Sequence, residues 1–171
     1  MLRVFKKLSE LKFGQLMAVY EEGNRENGQE LYPDLSQPQQ MMLAEQEFYH
    51  YLRDVFLKTA DACYCLWVVD GSYTSALRLE PYRDGLLLEA LETMPDKRGK
   101  GYAASLIRAV QQLPDLAGKK IYSHVGKRNE ISLKTHRKCG FEIISDRAVY
   151  IDGSVNDRCY TLCYLCKQAG A

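Results

Sequence analysis

The sequence predicts an α+β fold (α/β in some schemes), a mixed and mostly antiparallel sheet with helices on its faces. Three observations carry this. Residues 62–69, 73–79 and 85–93 alternate as strands do and are separated only by short turns, which gives an antiparallel meander. A strand, a helix and a strand then follow at 86–93, 102–113 and 120–125, an order that requires one parallel pair joined by a right-handed crossover. Finally, 171 residues without a repeat or a linker make one domain with room for a real core, 1–171.

Each element has a local reason. Residues 1–7 are apolar and basic and read as a first strand. Ser9 is placed to cap a helix in which Leu8, Leu11, Leu16, Val19 and Tyr20 recur at helical spacing, ending near 20–23. Residues 21–38 are polar and hold Gly23, Gly28, Pro33 and Pro38, so they read as a long loop. The stretch 39–59 carries apolar residues on helical faces, among them Leu43, Phe48, Leu52 and Phe56, and reads as one helix packed on the sheet. Asp70-Gly71 is a hairpin signal and 81–85 a second turn. Ala103, Leu106, Ile107, Val110 and Leu113 form the stripe of the helix at 102–113, and Pro114 and Gly118 mark its exit. Asn129 caps a helix at 129–139 that Gly140 closes. Two long strands, 141–150 and 158–167, are joined through Asp152-Gly153.

Composition narrows the function. Lys plus Arg is 23 and Asp plus Glu is 22, a formal charge of +1, which argues against a nucleic acid or an anionic membrane as the main partner. No apolar run approaches the roughly 20 residues that span a bilayer. The segment Met1-Leu2-Arg3-Val4-Phe5-Lys6-Lys7 lacks the apolar core of a signal peptide, so a cytoplasmic location is expected. The six cysteines include one Cys163-x-x-Cys166 spacing with no second pair and no nearby His. They read as reduced and buried, and no metal is expected.

The chemistry concentrates at Arg98-Gly99-Lys100-Gly101-Tyr102-Ala103-Ala104, between a strand and a helix. Two adjacent phosphates need several N–H donors converging on a small volume, without side chains in the way. Glycines at a helix start keep that approach open, and the unpaired N–H groups and dipole of the helix favour an anion there. A second motif follows, Asn129-Glu130-Ile131-Ser132 through Cys139-Gly140-Phe141.

With these two motifs in this order and a strand between them, the sequence resembles the GNAT acyltransferase superfamily over about residues 62–167. The resemblance implies a six- to seven-stranded sheet, splayed in the middle and flanked by about four helices, with residues 1–60 on the acceptor side. It implies acetyl-CoA as co-substrate and a primary amine of a small molecule or a peptide as acceptor, attacked directly in a ternary complex. The pantetheine arm is expected along Leu91, Glu92 and Thr93, the pyrophosphate on 98–104, and Asn129, Ser132 and His136 beside the arm.

Glu89, then Glu92, is expected as the base that deprotonates the amine. Strand alternation places these two, three residues apart, on opposite faces. At the position where the family usually carries a Tyr that protonates the departing thiolate stands His136, with Tyr102, Tyr150 and Tyr164 as substitutes. Lys127, Arg128, Lys134 and Lys138 are candidates for the nucleotide phosphate. The carboxylates Glu21, Glu22, Glu26, Glu30 and Asp34 suit a cationic acceptor such as a polyamine or an aminoglycoside. The alternative is an acyl-CoA-binding regulatory module without turnover. A monomer and a homodimer are both compatible with the sequence.

Overall fold

In a computed structural model the described residues are 1–167; the last four residues of the domain expected for 1–171 lie outside them. In chain order the described residues form β1 (Leu2–Phe5), α1 (Phe13–Val19), α2 (Glu21–Leu31), α3 (Gln37–Asp54), β2 (Cys63–Val69), β3 (Ser72–Tyr82), β4 (Gly85–Thr93), α4 (Tyr102–Gln111), β5 (Lys120–Gly126), α5 (Glu130–Lys138), β6 (Glu142–Ser145), β7 (Ala148–Val149), β8 (Val155–Asn156) and β9 (Cys159–Leu165). Seven strands make one sheet in the order β1-β2-β3-β4-β5-β9-β6, and β7 and β8 form a separate hairpin. The expected mixed, mostly antiparallel sheet is present, and β4 and β5 are its parallel pair.

The sheet is covered differently on its two sides. On one side Leu106, Ile107 and Val110 of α4 and Leu133 of α5 pack on Cys65, Leu77, Leu79, Leu88 and Ile121. On the other, Leu16, Met17 and Val19 of α1 and Leu52 of α3 pack on Tyr64, Leu66 and Ala76. Beyond β4, among the described residues, that second side carries a small cluster, Tyr82, Leu87 and Tyr122, next to the β7–β8 hairpin.

Three expectations are corrected. Residues 21–31, read as loop, form α2. Its sequence is polar and holds two glycines, but tertiary packing overrides weak propensity. A Cβ on Gly28 would stand 2.8 Å from the backbone oxygen of Gln40, so glycine is what lets α2 lie against α3. The helix expected from Ser9 is a 3-10 turn over Leu8–Glu10, followed by the short α1. The long strand expected at 141–150 is broken into β6 and β7, because β9 pairs with β6 only as far as Ser145.

β4 and β5 pair over only four positions, Gly85 with Lys120 through Leu88 with Ser123. Beyond Leu88 and Ser123 the two strands part, and Glu89–Thr93 faces His124–Gly126 across an open fork. The joined end is tight: a Cβ on Gly85 would lie 2.1 Å from the Lys120 carbonyl oxygen. The Lys120 ammonium reaches across to Asp84 at 2.7 Å and reinforces this end. Gly85→Ala is therefore expected to loosen the joined end and cost at least about 2 kcal/mol in urea unfolding; a variant within error of the parent overturns this account.

Candidate active site

The loop after β4 passes through a short 3-10 turn at Pro95–Lys97 and enters α4 at Tyr102. Gly99 and Gly101 have φ of 76° and 80°, a region that side-chain-bearing residues seldom occupy. A Cβ on either would meet nothing within 4 Å, so the space above the loop is open. No side chain caps α4. Its first N–H groups therefore point into that space with the dipole behind them. The α5 start is different: Asn129 Oδ1 accepts from the Ser132 N–H at 3.0 Å, so Asn129 serves its own helix. The loop at α4 and the open fork together fit a ligand with two phosphates and an extended arm.

Of the residues expected at the cofactor, Gly99, Lys100 and Gly101 form the exposed loop, and Tyr102, Ala103 and Ala104 form the first turn of α4. Arg98 behaves otherwise. Its guanidinium lies 2.6 Å from Glu22 of α2 and 3.6 Å from Glu92, and its Nε donates to the Thr93 carbonyl at 3.1 Å. Its side chain thus ties the loop to α2. Leu91 packs toward α4 and α5, while Thr93 is buried, its Oγ1 3.0 Å from Ser75 Oγ.

The expectation that Glu89 and Glu92 face opposite sides is corrected by a β-bulge. Ala76 pairs with Glu92 and Arg78 with Glu89, so Ala90 and Leu91 together oppose Leu77. The extra residue shifts the alternation by one and brings both carboxylates to the side of α1 and α3. Ala90 carries the distortion, with φ of 48°. The Tyr20 hydroxyl donates to the Ala90 carbonyl at 2.7 Å and so anchors the bulge from the end of α1.

Glu89 is the first residue of β4 beyond the joined end. It is half-buried, 3.5 Å from Arg78 Nη2. The Arg78 guanidinium sits over the rings of Tyr51 and Phe56 at 5.1 and 5.3 Å. Burial raises the Glu92 carboxyl above its usual range, against the opposing pull of Arg98. Glu80, on the same side of β3, is pushed up to about 7 by burial, then by the hydrogen bond and charge of Glu89.

His136 lies between α5 and the sheet and is 1% exposed. Nδ1 is 2.9 Å from the Ser132 carbonyl, which only accepts, so Nδ1 carries the proton. Nε2, 3.0 Å from Ser123 Oγ, then accepts from that hydroxyl. Burial lowers the His136 pKa and favours the neutral ring. Both nitrogens are engaged inside the protein. Arg78, Glu80 and His124 escaped the sequence reading. The signal available for the first two was their alternation with Ala76 on β3, and for the third its alternation with Tyr122 on β5.

The Glu80 carboxyl has a stability consequence. A raised carboxyl favours the protonated form in the folded state, so the stability tied to that proton is present below the ordinary Glu value. It is lost as pH rises through about 7. Glu80→Gln is expected to gain in Tm relative to the parent between about pH 5 and about pH 8. A Tm difference that is the same at both values overturns this.

No curated protein sequence matches the chain. Among solved structures, the PaiA N-acetyltransferase of Thermoplasma acidophilum in complex with coenzyme A superposes with a TM-score of 0.63 at 13% identity, covering 96% of this chain and 99% of that one. The ribosomal-protein-S18-alanine N-acetyltransferase of Escherichia coli gives 0.60 at 13%, covering 99% and 97%. The spermidine N-acetyltransferase of Vibrio cholerae, in complex with CoA and spermine, gives 0.59 at 17%, covering 97% and 95%. At such identities these likenesses establish the fold. The model of the Acetyltransferase (GNAT) family matches residues 25–141, well over half of the sequence. The chain belongs to the GNAT acetyltransferase family.

Proposed function

We propose that the protein transfers the acetyl group of acetyl-CoA to a primary amine of a small molecule or a polypeptide, by direct attack in a ternary complex. The observation that carries this is the fork between β4 and β5, with the open glycine loop at one end and a carboxylate-bearing face beside it. The loop N–H groups and the α4 dipole would hold the pyrophosphate. The strand edges at 89–93 and 124–126 offer backbone to the pantetheine arm. The co-substrate supplies the activated thioester.

Glu89 is assigned to the acceptor's ammonium, held at its station by Arg78, with Glu92 as a second negative charge on the same side. Glu22 and the remaining carboxylates of α2 extend that charge and suit a cationic acceptor such as a polyamine or an aminoglycoside. His136, engaged at both nitrogens, is assigned to packing beside the arm and fixing Ser123 at the branch point. We further propose one functional unit over 1–171, located in the cytoplasm, with no nucleic-acid partner, as a monomer or homodimer. No helix among the described residues is long and apolar enough to cross a membrane. The second reading, an acyl-CoA-binding module without turnover, is favoured by the sealed His136 where a Tyr usually donates a proton.

About 1 mM acetyl-CoA is expected to raise Tm by at least about 3 °C, because a ligand of the folded state stabilises it. Gly101→Val, which places a side chain in the open space above the loop, is expected to remove that protection. No protection of the parent sinks the acetyl-CoA assignment.

A panel of spermidine, an aminoglycoside, a lysine-bearing peptide and a peptide with a free N-terminus separates the two readings by turnover. For the amine used fastest, Glu89→Gln is expected to lower kcat/KM at least about tenfold while leaving protection by acetyl-CoA intact. An unchanged rate removes Glu89 from the mechanism.

A further inference from the structure

His124 stands directly opposite Glu89 across the mouth of the fork. Leu88 and Ser123 are the last positions at which β4 and β5 pair, so Glu89 and His124 are the first residues on each strand without a partner across the fork. Both side chains project to the same side. Leu87 and Tyr122, one residue earlier on each strand, belong to the cluster on that side. Ser123 and Val125 point the other way, toward α5. His124 is thus placed where an amine meets the end of an arm threaded through the fork.

The hydrogen bonds around the ring fix its tautomer. Thr161 Oγ1 donates to the Arg147 carbonyl at 2.8 Å, so its single proton is spent. The same oxygen lies 3.1 Å from His124 Nδ1 and must accept there. Nδ1 therefore carries the proton, and Nε2 presents a lone pair. Nε2 is buried and makes no hydrogen bond of normal geometry among the described residues, although the Val149 carbonyl lies near enough to the ring to favour its protonation. An unpaired buried acceptor costs roughly 1–3 kcal/mol, and such exceptions call for a reason. The ring is held edge-on by Tyr82 at 5.5 Å and by Tyr150 at 5.3 Å. The groups facing it are Glu89 from β4, Arg83 from the β3–β4 turn, Tyr82 from β3, Thr161 from β9, and Tyr150 with the Val149 carbonyl from the hairpin.

We propose that His124 Nε2 is the atom that takes the proton from the acceptor's ammonium, with Glu89 fixing that ammonium beside it. This rests on the acetyltransferase reading and assigns a base that reading leaves open. Tyr150 packs against the ring from the hairpin. One N–H bond of the ammonium breaks and the proton passes to Nε2. The neutral nitrogen attacks the thioester carbonyl, the C–N bond forms and the C–S bond breaks with its electron pair on sulfur. The second amine proton goes to that sulfur. The products are the N-acetyl amide, the free thiol of CoA and an imidazolium, which returns its proton to solvent.

Glu89 alone is less suited, since its carboxylate is already held by Arg78. Burial lowers the His124 pKa and favours the neutral imidazole, against the pull of the Val149 carbonyl and then of Glu89. The positive imidazolium formed in the step gains Glu89 as a counter-charge.

Two measurements test this. Long-range proton–nitrogen NMR on the full chain reads the tautomer of His124 without any acceptor. A neutral ring protonated on Nδ1 at neutral pH is expected; a ring protonated on Nε2, turned toward the Val149 carbonyl, overturns the proposal. In turnover with acetyl-CoA and the fastest amine of the panel, His124→Ala is expected to lose at least about 100-fold in kcat/KM for the amine. Protection by acetyl-CoA should remain, and added imidazole should restore part of the rate. An active His124→Gln variant keeping more than half the parent rate, or a His124→Ala loss that imidazole does not relieve, overturns it. Loss of acetyl-CoA protection in the parent protein would instead reject the broader functional reading.

Discussion

β4 and β5 hold each other over four residue pairs and then separate. Most of what is particular to this molecule depends on that limited pairing. Gly85 and the Asp84–Lys120 ion pair close one end tightly. At the other end two central strands keep their outer neighbours but leave the edges that face each other unpaired in the middle of a sheet. Buried backbone groups are ordinarily paired, so this gap offers free backbone groups to the extended arm of the proposed co-substrate. The bulge at Ala90 belongs to the same construction. It turns β4 away from its ideal course just past the branch point and puts Glu89 and Glu92 on one side.

The charges are arranged around that gap in two tiers. Arg78 is largely buried, shared between Glu89 and two aromatic rings, and so fixes one carboxylate near the branch. Arg98 is more exposed and joins the glycine loop to Glu22 of α2 and to Glu92. Exposed pairs of the second kind contribute little stability. The value of Arg98 lies in connection: the glycine loop and α2 share one side chain. In the proposed reaction an ammonium entering this face would meet negative charge whose partners are already in place, so little reorganisation would accompany its arrival.

How much of this the sequence displays depends on whether a local rule or a long-range contact decides each feature. The glycine loop and α4 were legible, because positive φ and an apolar stripe are written in consecutive residues. So were the Asn129 cap and the parallel crossover. The family's description also matches the sequence where both motifs lie. α2 was not legible, because Gly23 and Gly28 weaken it as a helix and the approach to Gln40 that calls for Gly28 is a long-range contact. The relative orientation of Glu89 and Glu92 was missed because strand parity holds only without a bulge. That bulge is set by Tyr20, seventy residues away in sequence from the carbonyl it binds. His124 has no motif of its own; its position follows from where pairing stops.

The open fork also matters to the protein before any ligand arrives. Two adjacent strand segments with free N–H and C=O groups are a template for a foreign strand, the contact through which sheet proteins aggregate. Charged side chains on exposed strands are a common defence against such pairing. Glu89 and Glu92, brought to one side by the bulge, place two carboxylates along this edge. A peptide settling there would have to bury them. The bulge that gathers two carboxylates on one side thus also guards the unfilled sheet against another chain.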